Sequence, residues 1–239
     1  KPFDDVRVRR ALALAIDRKS GAEVLGRQSI FAFVGGLLPP GSAYARSDKE
    51  LEPFPGFGPD SEANRAEAKR LLAEAGVPDL KFSLTNANRP DYVALGVFLI
   101  DQWRRIGVTV EHKQVTPPAF FTALKQGNFE VMFDSVNEYV DDPVFMLAHF
   151  LSFDVAPANS SRMIDRDLDG MFAKIGRTAD AAERRAVTRA FEARLLNQAY
   201  YTPLFWARRM IPIAKEVQGF ALTPSYYLGQ DLLTLWIRP

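Results

Sequence analysis

Lys1-Pro2-Phe3-Asp4-Asp5-Val6-Arg7-Val8-Arg9-Arg10-Ala11-Leu12-Ala13-Leu14-Ala15-Ile16-Asp17-Arg18 opens the chain. Asp4 or Asp5 caps a helix whose apolar positions Val8, Leu12, Ala15 and Ile16 recur at helical spacing, so one face of it is made for burial. Beyond it, residues 21 to 59 are rich in Gly and Pro, with Gly35-Gly36, Pro39-Pro40-Gly41, Pro53, Pro55 and Pro59. They read as a long structured loop that holds a short helix near Gly21 to Gln28.

Further out, helical and strand periods alternate. Asp60 or Ser61 caps a helix bearing Ala68, Leu71, Leu72 and Ala75 on one face, and Gly76 and Pro78 stop it. Leu80, Phe82 and Leu84 alternate as in a half-buried strand. Val93, Val97, Ile100 and Trp103 form the next helical face, stopped by Gly107, and Val108 and Val110 begin a second strand. Thr116 and Pro117 open a short helix that ends at Gly127. Phe129 to Val136 reads as a strand covered on both faces, and Asp142-Pro143 as the start of another helix. A helical pair follows over roughly 165–176 and 181–198, the second begun by the capping box Asp180-x-x-Glu183. Tyr201 to Trp206 and Met210 to Ala214 read as closing strands. The expected fold is α/β: strands near 80–86, 108–114 and 129–136 in one mainly parallel sheet, flanked by helices near 61–75, 92–106 and 181–198.

Composition narrows the function. The 239 residues, 47% hydrophobic, suffice for one sizeable core. Thirty basic and 29 acidic side chains nearly cancel, and the pairs Arg9-Arg10, Arg184-Arg185 and Arg208-Arg209 form no stripe, so nucleic acid is not an expected partner. Apolar runs such as Ala11 to Ile16 are far too short to span a bilayer. Cysteine is absent, which fits an oxidising compartment without requiring one. The two histidines, His112 and His149, make no metal motif of known spacing, and no G-x-S-x-G elbow or phosphate loop occurs. No cofactor is expected. Asp141-Asp142 before Pro143 offers paired carboxylates for acid–base work, but adjacent acids at a helix start are first of all N-caps.

The opening string, P-F-x-D-x-R-V-R-x-A-L-x-x-A-I-D-R, closely resembles a signature of the family 5 solute-binding proteins, the dipeptide- and oligopeptide-type receptors of bacterial ABC importers. The resemblance continues through Ala68, Leu71, Leu72, Glu74, Ala75 and Gly76, through Gln102-Trp103-Arg104-Arg105-Ile106-Gly107-Val108, and through Gly127 to Phe133 followed by Asp141-Asp142-Pro143. It implies a periplasmic-binding-protein type II-like lobe, the C-terminal half of a two-lobed ligand trap, working by non-covalent capture rather than catalysis. Implied partners are a peptide or small-molecule ligand, an ABC permease, and an N-terminal lobe that this chain lacks. The implied location is periplasmic, and the missing signal-peptide h-region then means truncation. Residues 1–211 are expected to form the lobe and 212–239 a tail that returns to the absent lobe.

The segment Phe133-Asp134-Ser135-Val136-Asn137-Glu138-Tyr139-Val140-Asp141-Asp142-Pro143 leaves a strand and enters a helix, where open α/β sheets place ligands. In peptide-binding relatives an aspartate four residues before this proline holds the ligand's α-amino group, and Tyr139 stands there in this chain. An arginine ten residues before it, which meets carboxylates in some relatives, is replaced by Phe133. The resemblance therefore implies a ligand wall of Phe133, Ser135, Asn137, Glu138 and Tyr139, with Tyr44 reaching in from the long loop. A neutral aromatic wall suits sugars, glycosides, opine-like conjugates or apolar peptides better than a fixed zwitterion. Two other readings stay open: a solute-sensing module of a regulator, and a hydrolase using Glu138 with Asp141 or Asp142.

Overall fold

The computed structural model describes residues 1–136, 140–208, 210–221 and 232–238. Helix α1 (Val6–Leu14) begins where the Asp5 carboxylate accepts the Arg7 amide at 2.8 Å, and it buries Val8, Ala11, Leu12 and Ala13. Helix α2 (Arg18–Leu25) starts three residues earlier than the glycine pattern suggests, because Asp17 caps the Ser20 amide. The long loop carries strand β1 (Phe31–Phe33) and one helical turn, α3 (Asp48–Leu51). Helix α4 (Ser61–Glu74) follows its Asp60 cap and packs on α1.

The central layer is strand β2 (Lys81–Ala87), helix α5 (Pro90–Arg104), strand β3 (Thr109–Val115), helix α6 (Pro117–Gln126) and strand β4 (Val131–Met132). The strand order is β3-β2-β4, all parallel, with Leu84 opposite both His112 and Val131. Burial along the sheet reverses two expectations. β2 is the central strand, so its polar side chains Ser83 and Thr85 are buried along with Phe82 and Leu84. The strand expected over 129–136 shrinks to two residues at an edge. Its entrance is occupied by Glu130, whose carboxylate accepts both the Ser83 amide (2.8 Å) and hydroxyl (2.6 Å), bonds that hold it below the ordinary carboxylate pKa.

A second, all-helical core follows: α7 (Pro143–Leu147), a short turn over 148–150, α8 (Arg166–Arg177) and α9 (Ala181–Gln198). Met146, Leu147, Phe150, Leu168, Ile175, Phe191 and Leu195 fill it, together with Leu37 and Leu38 from the long loop. Strand β5 (Trp206–Ala207) pairs antiparallel with β1, and the strands expected over 201–206 and 210–214 reduce to it. Strands β6 (Val217–Gln218) and β7 (Trp236–Ile237) form a separate antiparallel pair, on which Trp236 and Ile237 stand exposed.

Arg18, 3% exposed, joins these parts. It donates to the carbonyls of Pro203 (2.9 Å), Gly56 (2.7 Å) and Ala13 (3.3 Å) and stacks over the Phe57 ring at 4.3 Å. Gly56 has φ +75°, and a Cβ there would lie 2.0 Å from the Ala13 carbonyl oxygen and 2.4 Å from Arg18 Nη1. Gly56→Ala therefore combines left-handed strain with displacement of this guanidinium, and should cost about 2 kcal/mol or more. Urea unfolding should show a lower midpoint at unchanged slope.

Candidate functional site

The chain runs from β2 to β3 on one side, then crosses back to β4 on the other. Open α/β sheets bind ligands outside the carboxyl ends of their strands at such a reversal, which puts the candidate crevice between the 88–90 turn after β2 and the 133–136 segment after β4. Asn88 closes the β2–β3 end by donating its amide to the Val115 carbonyl at 2.8 Å. Pro90 starts α5 where no amide donor is needed.

Aromatic side chains make the floor. Tyr92, in the first turn of α5, packs edge-on against Phe133 at 5.0 Å and Phe120 at 6.1 Å, with Phe31 tilted at 6.3 Å. Phe133 is 7% exposed and belongs to the sheet core. The expectation that it faces a ligand is thus corrected: Tyr92 takes its ring inward and makes it the floor beneath the wall. Beyond β4 the chain leaves strand geometry, and Asp134 and Ser135 are both exposed. Arg89 lies over the Tyr92 ring at 4.8 Å and is paired with Asp91 at 2.8 Å, a cation at the lip.

Asp134 and Arg89 are the residues that sequence reasoning passed over. Asp134 lies between two residues that it named, and Arg89 stands at a strand-to-helix junction of the same kind. Asp134 accepts the Ser135 amide at 2.8 Å, and no cation bridges to it among the described residues. Solvent reaches it, yet surrounding protein crowds it: desolvation pushes its pKa above the ordinary 3.8, while the Ser135 amide and His149 pull the other way.

Asn137, Glu138 and Tyr139 lie outside the described residues. The far end of their segment is clamped. Asp142 caps α7 through the Val144 amide at 2.9 Å and receives Arg184 Nη2 on both carboxylate oxygens at 2.8 Å. Arg184 Nη1 donates to the Tyr44 hydroxyl at 3.0 Å, and the guanidinium lies 5.5 Å from that ring. Tyr44 thus holds Arg184, and Asp142 is engaged as a cap and an ion pair rather than presented as an acid–base group. His112 meets the buried Asn86 side chain across the sheet, and burial pushes its pKa down. A Cβ on Gly96 would come 2.6 Å from His112 Nε2, so this glycine lets α5 approach the pair.

The raised pKa of Asp134 has a signed consequence. Its ionisation costs folded-state stability as pH rises through the folded pKa, and the Asn variant keeps the acceptor for Ser135 without that cost. Asp134→Asn should match the parent below the unfolded pKa and be the more stable above the folded one. Thermal unfolding at about pH 3 and about pH 7 checks this.

The family model for bacterial extracellular solute-binding proteins, family 5 Middle, matches residues 1–156. Heme-binding protein A of Haemophilus influenzae is 24% identical over 95% of this chain and 41% of its own length. The periplasmic oligopeptide-binding protein OppA of Escherichia coli is 28% identical over 86% of this chain and 37% of its own. Among solved structures, the Escherichia coli murein tripeptide binding protein MppA superposes with a TM-score of 0.82 at 24% identity, covering 99% of this chain and 46% of that one. The chain spans about two fifths of the length of the curated relatives it matches. The fold is that of a type II periplasmic binding protein lobe, a parallel sheet flanked by helices.

Proposed function

Because the chain belongs to the family 5 bacterial extracellular solute-binding proteins, we propose that it is the ligand-binding C-terminal lobe of a periplasmic receptor that hands a solute to an ABC importer. The observation that carries this reading is the strand reversal at β2, beside which the exposed Arg89, Asp134 and Ser135 stand over the buried, packed rings of Tyr92 and Phe133. Such an edge offers hydrogen bonds and charge to a solute, with the buried rings as rigid support, and needs no reacting group. Two of the relatives are, by name, oligopeptide- and murein tripeptide-binding proteins. The proposed ligand is a peptide, a glycoside or a similar small solute. Asn137, Glu138 and Tyr139, which follow Ser135 and Val136 in sequence, are proposed as ligand contacts, and Tyr44 holds Arg184 against Asp142 at the far end of the segment. The hydrolase reading loses one of its acids to the Asp142–Arg184 clamp.

The opposite wall of the cleft, on this reading, comes from the remainder of a two-lobed receptor. Calorimetry of that whole receptor with a panel of short peptides and disaccharides should find a ligand whose affinity Tyr139→Ala weakens by about 1–3 kcal/mol. Unchanged affinity removes Tyr139 from the wall, and turnover of any panel member overturns non-covalent capture.

Residues 212–239 are proposed as the tail that packs on the other lobe. Exposed apolar groups without such a partner promote association. In sedimentation velocity the 239-residue chain alone should self-associate, and a Trp236→Ser, Ile237→Ser variant should shift it toward monomer.

A further inference from the structure

Away from the crevice, a groove of about 370 Å³ runs between the C-terminal half of α6 and the 153–162 segment. Phe121, Leu124 and Lys125 line one side, at the three- and four-residue spacing that puts them on one helix face. Phe121 is 63% exposed, a large apolar surface for a ring on a helix. Phe153 and Pro157 line the other side. Because α6 leads from the carboxyl end of β3 to the start of β4, its C-terminal half points toward the amino edge of the sheet, opposite the crevice.

The 153–162 wall is preformed. The buried Asn159 donates Nδ2 to the Leu151 carbonyl at 2.6 Å and accepts the Tyr201 hydroxyl at 2.9 Å, and that hydroxyl accepts the Ser161 amide at 3.1 Å. Arg162, held at φ +54°, stacks over Phe153 at 5.1 Å and donates to the Gln126 carbonyl at the end of α6. Gly127 makes room for it, since a Cβ there would lie 2.4 Å from the guanidinium carbon. A fixed wall spares a ligand the ordering cost of binding.

Charge selects the occupant. Among the described residues Lys125 and Arg162 are the ionisable lining residues and no acid lines the groove, and the chain as a whole carries a net charge of only +1. The volume lies in the range of small-molecule sites, about 300–1,000 Å³. We infer that this groove is a second binding site, for a small organic anion whose apolar body lies between Phe121 and Phe153 and whose charge meets Lys125 and Arg162. Inorganic anions alone would leave the aromatic walls unused.

The probe is 4-phenylbutyrate, with 4-phenylbutylamine as the same body carrying the opposite charge, titrated into the 239-residue chain and followed by amide NMR. Phenylbutyrate should give saturable shifts around Lys125, Phe153 and Ser160, and the amine should give none there. Lys125→Glu and Phe121→Ser, both at exposed positions, should each weaken binding about fivefold. Equal binding of the amine, affinity unmoved by either variant, or shifts confined to the Asp134 crevice overturns the proposal, and none of these outcomes touches the reading of the crevice itself.

Discussion

A buried cation without a carboxylate partner among the described residues organises this molecule. Arg18 lies in the core, and desolvation pulls its pKa down to about 9, which still leaves it charged at neutral pH. Burying an unpaired charge is tolerable only where hydrogen bonds replace water. Here the replacement comes from three carbonyls far apart in sequence, at Ala13, Gly56 and Pro203, and from the face of Phe57. Those contacts fix where α1 ends, how the Gly/Pro loop crosses it, and where the chain emerges from the helical core toward β5. The opening signature is therefore as much a packing instruction as a family mark.

The joint between the sheet core and the helical core is polar in a similar way. Arg9 donates to the Gln198 and Phe3 carbonyls and lies 5.0 Å from the Tyr200 ring. Glu192, almost wholly buried on α9, accepts the Leu37 amide at 2.8 Å and pairs with Arg46 at 2.9 Å. Desolvation pushes its pKa up, while the Leu37 amide and the arginines oppose that shift. Gly36 is required beside it, since a Cβ there would stand 2.0 Å from the carboxylate. The long loop lacks extended secondary structure because its order comes from α9, through these bonds, rather than from its own backbone.

The helices were legible in the sequence because their start and stop signals are local: Asp60 and Gly76 bound α4, Asp180 begins α9, and Gly127 ends α6 in a left-handed turn. The parallel α/β layering was legible for the same reason, one cap after another. What escaped depends on distant partners. The shortness of β4 follows from Glu130 engaging Ser83, 47 residues away, and the burial of both faces of β2 follows from a strand order that alternation cannot encode. For the proposed site, the strand-end rule chose a segment but could not give its facing. Tyr92 pulls Phe133 inward, which leaves Asp134 at the surface, and Tyr44 turns to Arg184. Each of these outcomes is settled by a side chain in another element.

Ser135 stands exposed at the crevice lip, its amide tied to the Asp134 carboxylate, in a chain that contains no cysteine. A single thiol introduced there would be unique in the molecule and would need no background thiol removed. An environment-sensitive dye or a spin label attached to it would sit on the wall while the aromatic floor stayed intact. With this edge as the proposed ligand wall, solute arrival would then be read optically or by paramagnetic resonance, and the same position would serve as the reporter of a reagentless sensor.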